Sequence, residues 1–194
     1  QVVLTACLLA VATLGYLASR AIPETRPVDP DLRISWNIWR ETGRIIGFAR
    51  ADRGVFLSIL GLSWFWFYGS AMTLQIPAYT LDILNGNEGV TTMLLVAFAV
   101  GVGVGSLLCE RLSGHRIELG LVPFGTIGMT FFAVDLYFAQ PSLHAEAVQS
   151  VGDFLARKGS LRVLFDLSML GAFGGLYSVP LYAYIQQQAE RLHL

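Results

Sequence analysis

Few side chains in this sequence stand where chemistry could use them, and three of those lie inside apolar runs: Asp135, Arg162 and Asp166. Ionisable residues in apolar helices are expensive to keep, and they mark functional sites by default. Arg162 and Asp166 are four apart, so on a helix they share one face and can pair. An ammonium needs a carboxylate, and a phosphate favours a guanidinium. The trio therefore predicts a mouth for a zwitterion such as a phosphoethanolamine group. The competing reading is an interfacial ion pair that ties the outer ends of two neighbouring helices, since neither acid lies at mid-depth in its run. Gln75 and the aromatic block Trp64-Phe-Trp-Phe-Tyr68 also sit within an apolar run. Trp64, Trp66 and Gln75 are expected to line a cavity, although consecutive aromatics point all round a helix and can equally serve packing.

Other chemistries find no residues to carry them. Cys7 and Cys109 show no CxxC or Cys/His spacing, so neither a metal site nor a mutual disulfide is expected. His115, His144 and His193 are scattered through connections and the tail, and no nucleophile and base are paired. No catalytic residue, metal or cofactor is expected. No basic stripe interleaved with aromatics suggests nucleic acid.

The elements that must position these side chains are membrane-length helices. Of 194 residues, 54% are hydrophobic and 14% charged, against roughly 25% charged in a soluble domain. A bilayer core of about 30 Å takes about 20 apolar helical residues. Five runs meet that length: 2–19, 55–78, 92–109, 119–139 and 161–185. Alternation of period two is absent, so the expected class is all-α, a polytopic helical bundle. Ten of the thirteen basic residues fall in the connections on one side, and Arg157, Lys158 and Arg162 fall on the other. By the positive-inside rule the first side is cytoplasmic, which puts the Gln1 end outside and the Leu194 end inside. The start at Gln1 lies within an apolar run and has no basic leader, and so reads as an interior cut.

The connection 20–53 divides the chain into a closing helix of one bundle (1–19) and the opening four helices of another (54–194). Pro23, Pro27 and Pro30 make its first part extended. From about Asn37 onward, Trp39, Ile45, Ile46 and Phe48 interleave with Arg40, Arg44 and Arg50. This predicts an amphipathic helix, lying on the membrane's lipids or on the protein's own helix ends.

Small residues recur where helices should meet. Gly101, Gly103 and Gly105 fall near one end of the third run, and Gly171 and Gly175 fall in the fifth. In lipid such residues let backbones approach closely. The third run leads directly into a charged elbow carrying Ser106, Glu110, Arg111, Gly114, His115 and Arg116. That elbow resembles the cytoplasmic loop signature of the major facilitator superfamily, with Glu110 in the acidic position and Ser106 leading.

Three stretches read together carry a closer resemblance. They are Ser35-Trp-Asn-Ile-Trp-Arg-Glu-Thr, Phe56-Leu-Ser-Ile-Leu-Gly-Leu-Ser-Trp-Phe-Trp-Phe, and Gly105-Ser-Leu-Leu-Cys-Glu-Arg-Leu-Ser-Gly with Arg116-Ile-Glu-Leu-Gly-Leu-Val-Pro. They look like the bacterial lysophospholipid transporter family, whose members occur alone or fused to a 2-acylglycerophosphoethanolamine acyltransferase. The resemblance implies a partial major-facilitator fold, helices six to ten of a twelve-helix carrier of the bacterial inner membrane. It implies a lysophospholipid as substrate, moved by alternating access, with the elbow residues as a gate. Partners would be membrane lipids and an acyltransferase in cis or trans. The sequence itself carries no His-x-x-x-x-Asp signature and is not expected to be an enzyme. The alternative is a membrane anchor for an acyltransferase, with no transport of its own.

Overall fold

The computed structural model describes residues 2–21, 37–114, 116–139 and 148–192. It divides into two units, Gln1–Thr42 and Gly43–Leu194. The proline-rich part of the first connection and His115 lie outside the described residues. All regular structure among the described residues is helical, apart from one isolated bridge between Gly86 and Gln149.

In the first unit, helix α1 (Val2–Arg20) is apolar along its length and ends on Arg20, whose charge suits the helix C-terminus. Thr13 and Ser19 turn their hydroxyls back onto the carbonyls of Leu9 and Tyr16, both at 2.7 Å. That is how an apolar helix accommodates polar side chains without partners elsewhere. Helix α2 (Ile38–Ala51) starts where the amphipathic pattern predicts, with Asn37 accepting from the Arg40 amide at 3.1 Å.

The second unit contains a bundle of α3 (Arg53–Asp82), α4 (Glu88–Leu112), α5 (Leu121–Ala139), a short α6 (Val151–Ala156) and α7 (Ser160–Leu192). Four helices are long and apolar enough to cross a membrane: Arg53–Asp82, Glu88–Leu112, Leu121–Ala139 and Ser160–Ala189. They correspond to the second to fifth of the five expected runs; the first run forms α1, an apolar helix of 19 residues, the same length as α5.

Capping fixes where these helices begin. Asp52 accepts from the amides of Gly54 and Val55 at the head of α3, and Asn87 accepts from Val90 at the head of α4. Each satisfies donors that a helix start otherwise leaves open. Between α3 and α4 the chain turns through Asn85 at φ 51, a left-handed position that asparagine tolerates. The segments around Asn85 and Gln149 then pair. Gln149 donates to the Asn85 carbonyl at 2.8 Å, and Asn87 donates to the Gln149 carbonyl at 3.0 Å. The connection between the fourth and fifth runs contains α6, started by a reciprocal capping box between Ser150 and Asp153. Its Phe154 is fully buried.

Helix α7 is central. Of its apolar stretch 61% is buried, against 17%, 22% and 17% for α3, α4 and α5. It packs on all three, while α3 and α5 barely meet each other. The densest core lies at the Asn85 end, where Ile76, Leu84, Val90, Leu94, Phe154 and Leu167 close together. The charged elbow caps the other end.

Candidate functional site

The polar cluster forms where α5 and α7 approach the Asn85 end. Arg162 grips Asp135 with a fork: Nε donates to Oδ2 at 3.0 Å and Nη2 to Oδ1 at 2.5 Å. This bidentate geometry is the strong form of a carboxylate–guanidinium pair. The pair remains partly open, its side chains 50% and 30% exposed. One turn further along α7, Asp166 is only 1% exposed, and neither carboxylate oxygen has a hydrogen-bond partner. Asp135 and Arg162 act on it electrostatically, and so does Tyr79 of α3. The Tyr79 hydroxyl is also buried without a partner. The three ionisable residues picked out by type and spacing are thus neighbours, from two helices 27 positions apart in sequence.

An apolar crevice runs beside this cluster because α3 and α5 both lean on α7 and leave a gap between themselves. Its larger compartment, about 530 Å³, lies between Trp64 and Tyr68 of α3 and Thr130, Val134 and Phe138 of α5. A smaller compartment of about 260 Å³ is lined by Gln75, Tyr79, Leu136 and Leu167, the last two next in sequence to Asp135 and Asp166, while the acids themselves do not line it. Ala133 and Tyr137 line both. The crevice wall is chemically quiet. Thr126 and Thr130 satisfy their hydroxyls on the helix carbonyls of Val122 and Thr126. The Tyr68 hydroxyl is buried and unpartnered.

The aromatic expectation needs one correction. Trp64 and Gln75 line the crevice, but Trp66 does not. Its indole Nε1 donates to the Tyr182 hydroxyl of α7 at 2.6 Å, because positions two apart on a helix point to nearly opposite sides, about 200° round the axis.

Glycines set the other contacts of α7. A Cβ on Gly101 would strike the backbone of Ser168, and one on Gly105 the backbone of Ala172. In return, Gly171 lies against Phe98 and Val102, and Gly175 against Ser106 and Val102. Four glycines thus make a reciprocal seam in which α4 and α7 touch main chain to main chain. Gly103 is the exception, with nothing within 4 Å of its would-be Cβ; it sits two residues out of phase and faces away.

At the elbow, Ser106 belongs to this seam and donates to the Val102 carbonyl at 2.8 Å. Glu110, Arg111 and Arg116 are exposed. Gly114 turns the chain at φ 58, where a side chain would be strained. An open hollow of about 560 Å³ beside it is lined by Arg116, Glu118 and Gly120. Among the described residues no group of three His, Cys, Asp or Glu could hold a metal.

No protein-family model, curated protein or solved structure matches the chain.

Outside the spans, the hydroxyl and amide of Ser150 hold the Asp153 carboxyl below its ordinary range. Sequence reasoning missed Tyr68, Tyr79 and Tyr137 as lining residues. The signal was present: Trp64, Tyr68, Gln75 and Tyr79 recur at intervals of four, seven and four, a single helical face. Gly125 and Gly128 were missed as well. They admit Tyr177 and Phe173 of α7 against α5, and Phe132 stacks on Phe173 with ring centroids 5.6 Å apart.

Proposed function

We propose that the protein is a membrane carrier for a single-chain zwitterionic phospholipid, a lysophospholipid, moved by alternating access. The observation that carries this reading is the apolar α3/α5 crevice running beside the Asp135, Arg162 and Asp166 cluster, with Leu136 and Leu167, the neighbours of the two acids, in its lining. A lysophospholipid joins one acyl chain to one charged head group, and this arrangement sets an apolar slot beside two carboxylates and a guanidinium. The chain would lie between Trp64, Tyr68 and Phe138. The phosphate would compete with Asp135 for Arg162, and the ammonium would meet Asp166. The resemblance to the lysophospholipid transporter family supports the same substrate class and a place in the bacterial inner membrane. The elbow of Ser106, Glu110, Arg111, Gly114 and Arg116 would lie on the cytoplasmic side. There it would latch one state while the close α4/α7 seam lets those helices move as one body.

The test is reconstitution of the full-length protein in liposomes with labelled lysophosphatidylethanolamine, following its movement between leaflets. Movement should exceed that of protein-free liposomes. Asp166→Asn should slow it by about tenfold or more, the worth of one charge-assisted hydrogen bond. Unchanged movement in a well-folded Asp166→Asn protein would sink the binding role of Asp166. Absence of any movement in the unaltered protein would favour an anchor for an acyltransferase.

A further inference from the structure

Asp166 poses a problem that lipid binding does not solve. It lies six residues beyond the start of α7, about 9 Å along the axis, among the most deeply buried side chains of the bundle. An ionised carboxylate removed from water and from every donor is strongly disfavoured. The nearest cation relieves it only in part, because the Nε and Nη2 of Arg162 are both committed to Asp135 and no hydrogen bond reaches Asp166. Among the described residues, the titratable groups facing Asp166 are Tyr79 from α3, Asp135 from α5 and Arg162 on its own helix. At this end of the bundle α4 and α6 present Leu94 and Phe154. Two acids and one base share an apolar corner, so with both acids ionised the corner would hold an uncompensated negative charge.

One proton removes that charge. It also turns a carboxyl oxygen into a donor, and the neighbouring Asp135 carboxylate can accept from it. We infer that Asp166 is a proton-binding site. It is a carboxylic acid in this conformation, and it releases its proton when Arg162 leaves Asp135 and pairs with Asp166 one turn away on the same face. A hard metal cation fits less well, since it wants about six oxygen ligands and the corner offers only the Tyr79 hydroxyl and two carboxylates, one of them already gripped by Arg162. If the protein carries a lysophospholipid, the lipid's ammonium and the proton would compete for one carboxylate, which would couple lipid movement to proton movement. That coupling rests on the proposed function, whereas the proton site does not.

Dicyclohexylcarbodiimide, an apolar reagent that modifies protonated carboxyls, tests the site in the full-length protein in liposomes without added lysolipid. The readout is the labelled fraction of the Asp166 peptide by mass spectrometry. Labelling should be high at acidic pH and fall by about tenfold per pH unit above its midpoint. Asp135→Asn should lower labelling of the unaltered Asp166 at a fixed pH, because it frees Arg162 to pair with Asp166 and ionise it. Burial alone would leave that labelling unchanged. Labelling that is absent throughout the pH range, or independent of pH, overturns the proposal. So does protection by sodium chloride relative to choline chloride at constant pH, which would make the site a sodium site. If Asp135→Asn does not fold, the pH and salt series on the unaltered protein decide the matter. Failure to move lysolipid would leave the labelling result intact.

Discussion

The α4/α7 seam and the α3/α5 crevice draw on the same apolar alphabet and reach opposite results. In the seam, Gly101, Gly105, Gly171 and Gly175 remove side chains at matched levels, and two backbones meet. In the crevice, Trp64, Tyr68, Tyr137 and Phe138 hold two helices apart and leave about 530 Å³ between them. In water both faces would be driven shut by burial of apolar area. In lipid that drive is absent, and close fit decides which helices adhere. Small residues at a four-residue spacing therefore mark what stays together, and large ones mark what can admit a guest. Helix α7 takes part in both, through Gly171 and Gly175 in the seam and Leu167 in the crevice. A movement of α7 with α4 would change the crevice.

The sharpest way to break this contrast is at Gly105. Gly105→Ala places a methyl against the Ala172 carbonyl, and backbone cannot rotate away as a side chain can. We expect a loss of about 3 kcal/mol, seen as a lowered unfolding midpoint in detergent. Gly103→Ala, two residues away, meets nothing and should gain up to about 1 kcal/mol from helix propensity. Equal effects at the two positions would show that the seam is not built on close approach.

The crevice should respond in function more than in stability. Ala133→Phe puts a ring where the two compartments join. Lysolipid movement in liposomes should fall by about tenfold or more, with the unfolding midpoint changed by less than the equivalent of about 1 kcal/mol. Tyr68→Phe sharpens the point at smaller scale. Its hydroxyl is buried without a partner, so removing it should leave stability within about 1 kcal/mol or raise it. A larger loss would reveal a bonding role for the hydroxyl.

How far the sequence could anticipate this arrangement depended on what each feature rests upon. Helix positions follow from apolar run length and from caps such as Asp52 and Asn87, both local, and they were legible. The trio of Asp135, Arg162 and Asp166 was legible because charge inside an apolar run is rare whatever the tertiary fold. The fork itself was not, since it joins helices whose relative rotation no local pattern encodes. Trp66 and Gly103 show the same limit on a smaller scale. Their residue types were right for a site and a seam, but the phase of each helix turned them elsewhere. The α6 helix was missed because six residues carry too little periodicity to stand out from a loop. Its signal lay in the Ser150/Asp153 capping box.

That box supplies the smallest perturbation, and it acts where α6 covers the Asn85 end of the α4/α7 pair. The Asp153 carboxylate accepts from the Ser150 amide at 3.2 Å and from its hydroxyl at 2.6 Å. These bonds hold its folded pKa below the ordinary aspartate value. A group with a depressed folded pKa contributes stability that is full above the unfolded value, about 3.9. The contribution is lost as pH falls through the folded value. The protection factors of the α6 amides, taken against their intrinsic rates at each pH, should therefore be high at neutral pH and fall below about pH 4, while those of Gly101 and Gly105 hold. Ser150→Ala should weaken protection of α6 at neutral pH and flatten its dependence on pH. Simultaneous loss in α6 and the seam would mean that the cap and the glycine contact form one cooperative unit, and that the seam owes part of its closeness to the short helix above it.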